Sequence, residues 1–292
     1  MNNEVQLYLQ QKANWVRRKV LEVAVKANSG HVTTAFSLSE LLVSLYHGFL
    51  LIYDPGDSKW DERDRFILSE GQAGLGLYPV LADVGFFPIA DLDNFAQKGS
   101  TLGVHSEPNT NGIEVVTGSL GHGLPIATGI AYAGKKANKD WVVVCLTGDG
   151  ELFEGSNWEA MLTASRLELS NLILVVNRNH QFTIGFTDRS ETQRDVVLDP
   201  LDKKFEAFGF ETRTISDGHS FPHIFAGLSD FRYRASRCNR PLAIIAETKK
   251  GKGVSVMENQ RFWHYRVPVG DELITARKEL NEEALRLGLE VQ

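Results

Sequence analysis

The sequence predicts an α/β fold, in which an open, mainly parallel sheet is covered by helices on both faces. Apolar runs typical of buried parallel strands recur at intervals, and helical segments separate them, which is the pattern of βαβ units. The chain has 292 residues, enough for one large domain, and it contains no convincing linker. We therefore expect residues 1–292 to form a single domain.

The first quarter of the chain is predicted to be mostly helical. Residues 5–27 place apolar side chains at spacings of three and four, and the following Asn28-Ser29-Gly30 favours a helix end because glycine accepts positive φ. Residues 37–52 are predicted to form a second, strongly apolar helix. The run DRFILSEG, residues 64–71, is then predicted as a short strand that breaks at Gly71.

The remaining elements follow a loop, residues 99–123, that is rich in Gly, Asn and His. A helix of small residues, 124–138, is suited to close packing. Four buried strands are predicted at residues 141–148, 171–177, 210–216 and 241–249. Residues 271–288 are predicted to form an amphipathic helix whose apolar face carries Leu273, Ala276, Leu280, Ala284 and Leu287.

The bulk properties of the chain narrow its possible functions. Its composition is that of an ordinary globular protein, with 42% hydrophobic and 23% charged residues, and its net charge of −6 argues against a nucleic-acid partner. Cys145 and Cys238 are far apart and form no C-x-x-C pair, and Cys145 lies in an apolar run where we expect it to be buried. No leader and no run of membrane-spanning length is visible, so we expect a cytoplasmic protein with no membrane partner.

Two neighbouring strands of the predicted sheet end in polar motifs, Gly148-Asp149-Gly150 and Asn177-Arg178-Asn179. In an open parallel sheet, ligands bind beyond the carboxyl ends of the strands, where glycines let backbone N–H groups approach a phosphate and a helix start adds a favourable dipole. Asp149 and Asn179 offer oxygen ligands for Mg²⁺, or for Ca²⁺ or Mn²⁺, and a backbone carbonyl just past Asn179, which we place at Gln181, could supply a third. The pattern predicts a metal bridge that holds a diphosphate.

Each of these two residues also has a purely structural interpretation. Asp149 could cap the following helix and Asn179 could form a turn, because Asp and Asn are favoured at such positions. The combination is more specific, since glycine flanks Asp149 on both sides and one strand–helix–strand step separates the two residues. We therefore favour the metal site.

These motifs resemble those of thiamine-diphosphate-dependent transketolases. Gly-Asp-Gly, followed some thirty residues later by an asparagine at a strand end, is the thiamine diphosphate motif, and GDGELFEG has its transketolase form. Other stretches agree in order: ANSGH at 27–31, WDERDRFILSEG at 60–71, VTGSLGHGLPIATGIA at 116–131, FEAFGF at 205–210, DGH at 217–219, and TKKGKGVSVMEN with WH at 248–264. The resemblance spans nearly the whole chain and indicates the N-terminal subunit of a split transketolase.

The resemblance implies catalytic roles for several residues. His31, His105 and His264 match the catalytic histidines of the family, which stabilise alkoxides and shuttle protons while C–C bonds are made and broken. The alternative is that they are surface or packing histidines. Glu154 matches an acidic residue near the cofactor-activating glutamate at the dimer interface, or is otherwise a solvated acid in a first helical turn.

The resemblance also implies contacts to thiamine diphosphate. Gly118 and Leu120 match residues on the thiazolium side, although a glycine at this position could also shape the turn before a helix. Lys249 matches a basic residue near the phosphates, although KKGKG could equally be a solvated loop. Gln72 stands where the family usually has histidine, and it can donate to a phosphate oxygen but cannot carry a proton.

Other departures from the family lie around the cofactor and the substrate mouth. His122 stands where glutamine is more common, Asn177 and Arg178 replace more acidic or tyrosine-bearing neighbours, and GVHSEP replaces the usual Gly-His-Pro around His105. These changes leave the scaffold intact. We expect thiamine diphosphate binding combined with an unusual ketose as substrate.

The resemblance implies that the pyrimidine-binding and C-terminal domains lie on a separate subunit, in an α₂β₂ assembly that acts on sugars or sugar phosphates. The other subunit would supply the glutamate that activates the cofactor. Two alternatives remain open at this point. One is a 2-oxo acid dehydrogenase E1α-like subunit, which shares the metal motif, and the other is a non-catalytic cofactor-binding homologue.

Overall fold

The sheet that the sequence predicts is present and entirely parallel. The computed structural model describes residues 1–183, 185–188 and 197–291. In this part of the chain the sheet consists of β1 (Arg65–Leu68), β2 (Val143–Gly148), β3 (Leu172–Arg178), β4 (Glu211–Ile215) and β5 (Leu242–Glu247). The strand order is β1-β2-β3-β5-β4, and each neighbouring pair is parallel.

Helices connect the strands and cover the sheet. They are α1 (Asn3–Ala27), α2 (Val32–Ser37), α3 (Ser39–Tyr46), α4 (Gly74–Asp83), α5 (Gly123–Lys136), α6 (Gly155–Arg166), α7 (Leu201–Ala207), α8 (Phe221–Leu228), α9 (Phe231–Ala235) and α10 (Gly270–Arg286). Within the described ranges, no helix is both long enough and apolar enough to cross a membrane.

Both faces of β2, β3 and β5 are buried, as their continuous apolar runs predict. The prediction of a buried strand is wrong for β4, because this strand lies at the edge of the sheet and only its Ile215 is buried. Alternate side chains of a strand point to opposite faces. Val144 and Leu146 of β2 therefore join a core with α1–α4, α8 and α10, whereas Val143 and Cys145 join a second core with α5, α6 and α7. Cys145 is buried and unpaired, as expected.

The predicted helix at residues 37–52 is wrong in its extent. Leu38 breaks the helical geometry between α2 and α3, and α3 ends at Tyr46. Phe49 then adopts a left-handed φ of 54°, which turns the chain. The apolar run continues because Leu51 packs into the core from a loop, and an apolar run alone does not separate a helix from such a loop.

The fold generates one prediction about stability. The side chain of Phe205 is fully buried between α7 and α6, where its ring lies 5.8 Å from that of Trp158. Phe205→Ala should lower the free energy of unfolding by about 3–5 kcal/mol, because a cavity remains in a packed core. Denaturant unfolding measures the change.

Phe49→Ala is the matched control, because Phe49 is 79% exposed, and its effect should stay within about 0.5 kcal/mol. Equal losses in the two variants would contradict this account of the second core.

Candidate active site

The carboxyl ends of β2 and β3 bring the two polar motifs side by side. The strand register pairs Gly148 with Asn177, so that Asp149 and Asn179 follow at the same edge of the sheet. A cavity of about 400 Å³ opens at this edge. The cavity is lined by twelve of the residues that the sequence predicts for the site: His31, Gln72, His105, Gly118, Leu120, Gly148, Asp149, Gly150, Glu154, Asn179, Gln181 and His264.

Asp149 is held rigidly at the base of the cavity, with only 1% of its surface exposed. Its Oδ1 accepts the N–H of Gly150 at 2.9 Å, which caps a short 3-10 turn. Its Oδ2 accepts the N–H of His180 at 2.8 Å and the hydroxyl of Thr187 at 2.6 Å. Burial raises the pKa of Asp149 even though the hydrogen bond from Thr187 opposes the shift. A cation beside the carboxylate would favour its ionised form.

Gly150 is required because two loops approach each other closely. A Cβ on Gly150 would lie 2.5 Å from the Cβ of Phe182, so a larger residue would push the loop after β3 away from the loop after β2. Gly121 has a similar role at φ 81°, where a Cβ would lie 2.5 Å from the Cβ of Glu154. Glycine therefore allows Glu154 and the loop that carries Leu120 to share one wall of the cavity.

The oxygen atoms around Asp149 suit a hard divalent cation. Asn179 Oδ1 accepts the N–H of Gln181 at 3.2 Å, and Oε1 of Gln181 is buried without a hydrogen-bond partner in the part of the chain that the structure describes. The same part of the chain contains no cluster of three His, Cys, Asp or Glu side chains that could hold a metal ion. An ion here would therefore need additional oxygen ligands, which the phosphates of a bound cofactor can provide.

Among the described residues, Lys250 faces the cavity and the predicted Lys249 does not. Lys250 is only 2% exposed and lines the cavity, where its Nζ lies 3.1 Å from Nδ1 of His264. Burial lowers the pKa of Lys250 to about 8, although Asp149 and Glu70 favour its charged form. The Nζ of Lys249 points elsewhere and lies 3.0 Å from Glu258. The motif KKGKG does not reveal which lysine turns inward.

The three predicted histidines meet at one side of the cavity. The ring of His31 lies 6.3 Å from that of His105 and 5.8 Å from that of His264. Burial, together with the charge of Lys250, lowers the pKa of His31 to about 4 and that of His264 to about 3. Both imidazoles are therefore neutral near pH 7, and a neutral imidazole can donate one hydrogen bond and accept another.

Two buried acids in the cavity wall were not singled out from the sequence. Glu70 accepts a hydrogen bond from Nδ2 of Asn177 at 3.0 Å, and burial raises its pKa well above the ordinary value. Glu151 accepts the N–H of Gly121 at 2.9 Å, and burial also raises its pKa. Glu70 follows the end of β1, so the strand-end rule that identified Asp149 could have identified it. Glu151 instead has the sequence context of a solvated acid in a turn.

One wall of the cavity is apolar. Phe153 and Phe182 pack with ring centroids 5.2 Å apart, and Leu120 lines the same cavity. The site therefore combines an apolar wall, neutral histidines, a buried lysine and a set of oxygen ligands. Together with the parallel sheet, this site defines a cofactor-binding α/β protein whose strand ends suit a metal-bound anion.

The chain belongs to the transketolase family. Residues 9–284 match the family model described as "Transketolase, thiamine diphosphate binding domain". This match covers most of the chain, including all the strands described above.

Individual relatives agree with the family assignment. The chain is 41% identical over 280 residues to an apulose-4-phosphate transketolase subunit of Actinobacillus succinogenes, covering 94% of this chain and 96% of the relative. It is 37% identical over 263 residues to the 6-deoxy-6-sulfo-D-fructose transketolase subunit SqwG of a Clostridium species, covering 90% and 92%. The crystal structure of Campylobacter jejuni transketolase superposes with a TM-score of 0.84 at 32% identity, over 99% of this chain and 44% of that chain.

The adjacent lysines generate a prediction about binding. Lys250→Met should weaken the binding of magnesium–thiamine diphosphate by about 10- to 100-fold, because a charge-assisted contact inside the cavity is lost. Lys249→Met should change affinity by less than about 2-fold, since the Lys249 side chain pairs with Glu258 outside the cavity. Calorimetric titration measures both affinities. A larger loss for Lys249→Met than for Lys250→Met would contradict this placement of the two side chains.

The histidines generate a prediction about pH. His31 has a pKa of about 4 in the folded chain against an ordinary value of 6.5, so the unfolded chain binds more protons between these values. His31 therefore lowers the free energy of unfolding as the pH falls from about 7 to about 4, by at most about 3 kcal/mol. His31→Gln should remove this contribution. Urea unfolding of both proteins across this range measures it, and parallel curves would contradict the pKa shift.

Proposed function

We propose that this chain is the N-terminal subunit of a two-chain transketolase that moves a two-carbon ketol unit from a ketose to an aldose. The observation that carries the proposal is the assembly of oxygen ligands, a lysine and three histidines in one strand-end cavity of a transketolase-family chain. The extent of the matches supports it further, because the chain covers 96% of the Actinobacillus succinogenes relative but 44% of a solved transketolase.

The cavity offers ligands for a metal ion and contacts for the diphosphate of the cofactor. A divalent ion would be held by Asp149, Asn179 and the backbone carbonyl of Gln181. Mg²⁺ is the preferred choice among hard cations. Lys250 would neutralise part of the phosphate charge, and the Gln72 amide would donate to a phosphate oxygen. When bound, thiamine diphosphate supplies the nucleophilic carbon and the electron sink that C–C bond cleavage requires.

The histidines of this chain would act on the substrate oxygens. His31, His105 and His264 line the cavity on one side, where they would face a sugar bound in the cavity. His31 and His264 are neutral, so each can donate a hydrogen bond to a developing alkoxide or accept the proton of a hydroxyl group. The charge of Lys250 next to His264 helps to keep that imidazole in its neutral form.

A second subunit would complete the site. Phe153 in the cavity lining and Val116, two residues before Gly118, are exposed apolar side chains, and such residues fit an interface that a partner covers. Glu154 lies in the cavity wall, where it can meet the activating glutamate that we assign to the pyrimidine-binding domain of the partner. We assign an α₂β₂ arrangement to the assembly, with its active sites at the interfaces.

The named relatives guide the proposal for the substrate. Their printed names describe transketolases of apulose 4-phosphate and of 6-deoxy-6-sulfo-D-fructose, which are sugars that carry an anionic group. Gln72 and the GVHSEP loop depart from the usual family pattern at the substrate mouth. We therefore assign an unusual anionic ketose to this enzyme.

The two alternative functions have less support. The relatives are transketolase subunits, which favours this activity over that of a 2-oxo acid dehydrogenase E1α-like subunit. A non-catalytic homologue would not need to keep three histidines around one cavity together with the buried Asp149.

An assay of products tests the proposed function. The purified chain alone should show no turnover, and mixing it with its C-terminal partner subunit should produce two-carbon transfer between sugars without release of CO₂. Asp149→Ala should abolish turnover because it removes the charged member of the ligand set that we assign to the ion, whereas His31→Ala should lower it by about 10²- to 10⁴-fold.

Asp140→Ala serves as the matched control, because Asp140 is an exposed acid in the loop between α5 and β2, and it should leave turnover unchanged. Transfer by the chain alone, or decarboxylation of a 2-oxo acid by the mixture, would contradict the proposed function.

A further inference from the structure

A buried hydrogen-bond network connects α1 to the turn that carries Lys250. Arg17 on α1 donates from both terminal nitrogens to the carboxylate of Glu40 on α3, each at 2.6 Å. Oε2 of Glu40 also lies 2.9 Å from Nδ1 of His219. The backbone N–H of Lys249 donates to Nε2 of His219 at 2.8 Å. The imidazole thus joins a fixed ion pair to the backbone that precedes Lys250.

The partners of His219 define its protonation. The backbone N–H of Lys249 can only donate, so Nε2 must keep its lone pair. The proton of the neutral ring therefore lies on Nδ1, which donates to Glu40. A positively charged imidazole, or the opposite tautomer, would place two hydrogens between Nε2 and the Lys249 amide. Only one form of His219 satisfies both of its neighbours.

Glu40 is a firm anchor for this imidazole. Burial alone would raise the pKa of Glu40, but the charge of Arg17 and the hydrogen bonds from Arg17 and His219 lower it below its ordinary value, so the carboxylate is ionised near neutral pH. The two parallel hydrogen bonds from Arg17 fix its orientation. Since α1 and α3 are both packed in the first core, the position of the carboxylate is set by the scaffold.

The turn that carries Lys250 is held in place by hydrogen bonds from its own backbone amides. The N–H of Thr248 donates to the carbonyl of Arg178, and the N–H of Gly251 donates to the carbonyl of Thr33, each at 3.0 Å. Between these two points, the Lys249 amide is bound by the His219 side chain. With the backbone fixed in this way, the Lys249 side chain leaves towards Glu258 while Lys250 enters the cavity.

We propose that His219 is a positioning residue for Lys250, which it holds against the cofactor diphosphate by binding the preceding amide. This inference rests on the proposed function, because it assigns the diphosphate as the group that Lys250 contacts. His219 lies outside the cavity lining and therefore acts through the backbone of the turn.

Two substitutions separate the two halves of the His219 contact. In His219→Gln, the amide oxygen can reach the position of Nε2 and accept the Lys249 N–H. In His219→Asn, the shorter amide can replace Nδ1 and donate to Glu40, but it leaves the Lys249 N–H without an acceptor. His223→Asn is the matched control, because His223 is an exposed histidine on α8.

The first readout does not depend on the cofactor. Hydrogen exchange of the Lys249 amide in the chain itself should be slow in the parent and in His219→Gln, and about 10-fold faster or more in His219→Asn, since about 1.4 kcal/mol is lost with one hydrogen bond. NMR of ¹⁵N-labelled histidine should show the Nδ1–H tautomer for His219. Equal exchange in all the variants, or the Nε2–H tautomer, would overturn the proposal.

The second readout is the affinity for magnesium–thiamine diphosphate in the complex with the partner subunit. His219→Asn should weaken binding by about 10-fold, and His219→Gln and His223→Asn by less than about 3-fold. In a Lys250→Met background, His219→Asn should add less than about 2-fold, because both changes remove the same contact.

Unchanged thermal unfolding midpoints would show that the variants fold alike. If His219→Asn weakens cofactor binding equally with and without Lys250→Met, only the positioning role is overturned, since His219 would then act independently of Lys250. Absence of thiamine diphosphate binding by the unsubstituted complex would overturn the proposed function, and with it the role of Lys250.

Discussion

The register between β2 and β3 is the constraint on which the candidate site depends. This register pairs Gly148 with Asn177. A shift by one residue would move Asp149 and Asn179 out of alignment at the sheet edge, and it would also exchange the side chains of the two buried faces. Both faces of these strands are packed into apolar cores, so such a shift would disrupt the packing on both sides of the sheet. The scaffold therefore positions the oxygen atoms that we propose as metal ligands before any ion binds, and such preorganisation favours tight binding of a hard cation.

Burial shifts the pKa values of the ionisable groups in this cavity, and the proposed metal ion and diphosphate would oppose those shifts. It raises the pKa values of Asp149 and Glu70, because their charged forms have lost water, and it lowers that of Lys250 to about 8. A divalent cation would favour ionised Asp149, and a diphosphate would favour charged Lys250. The metal and the phosphates would thus bind as a unit, beside histidines that remain neutral.

The sheet and most of the cavity lining could be predicted from the sequence because both follow from local rules. Apolar strands separated by helices imply a parallel sheet, and polar residues after adjacent strands imply a shared edge. Helix α4 was missed because its glycine-rich start hides the apolar periodicity. Lys250 was missed because its direction is set by contacts of the turn with Thr33, Arg178 and His219, which come from distant parts of the chain.

The most direct test of the central claim is whether a divalent ion links this strand edge to a diphosphate. Mn²⁺ can replace Mg²⁺ in such oxygen sites and is paramagnetic. Electron–nuclear double resonance of the complex with its partner subunit, thiamine diphosphate and Mn²⁺ should show coupling of the metal to both phosphorus nuclei. A bound Mn²⁺ signal without phosphorus coupling, or coupling that persists unchanged in Asp149→Ala, would contradict the account.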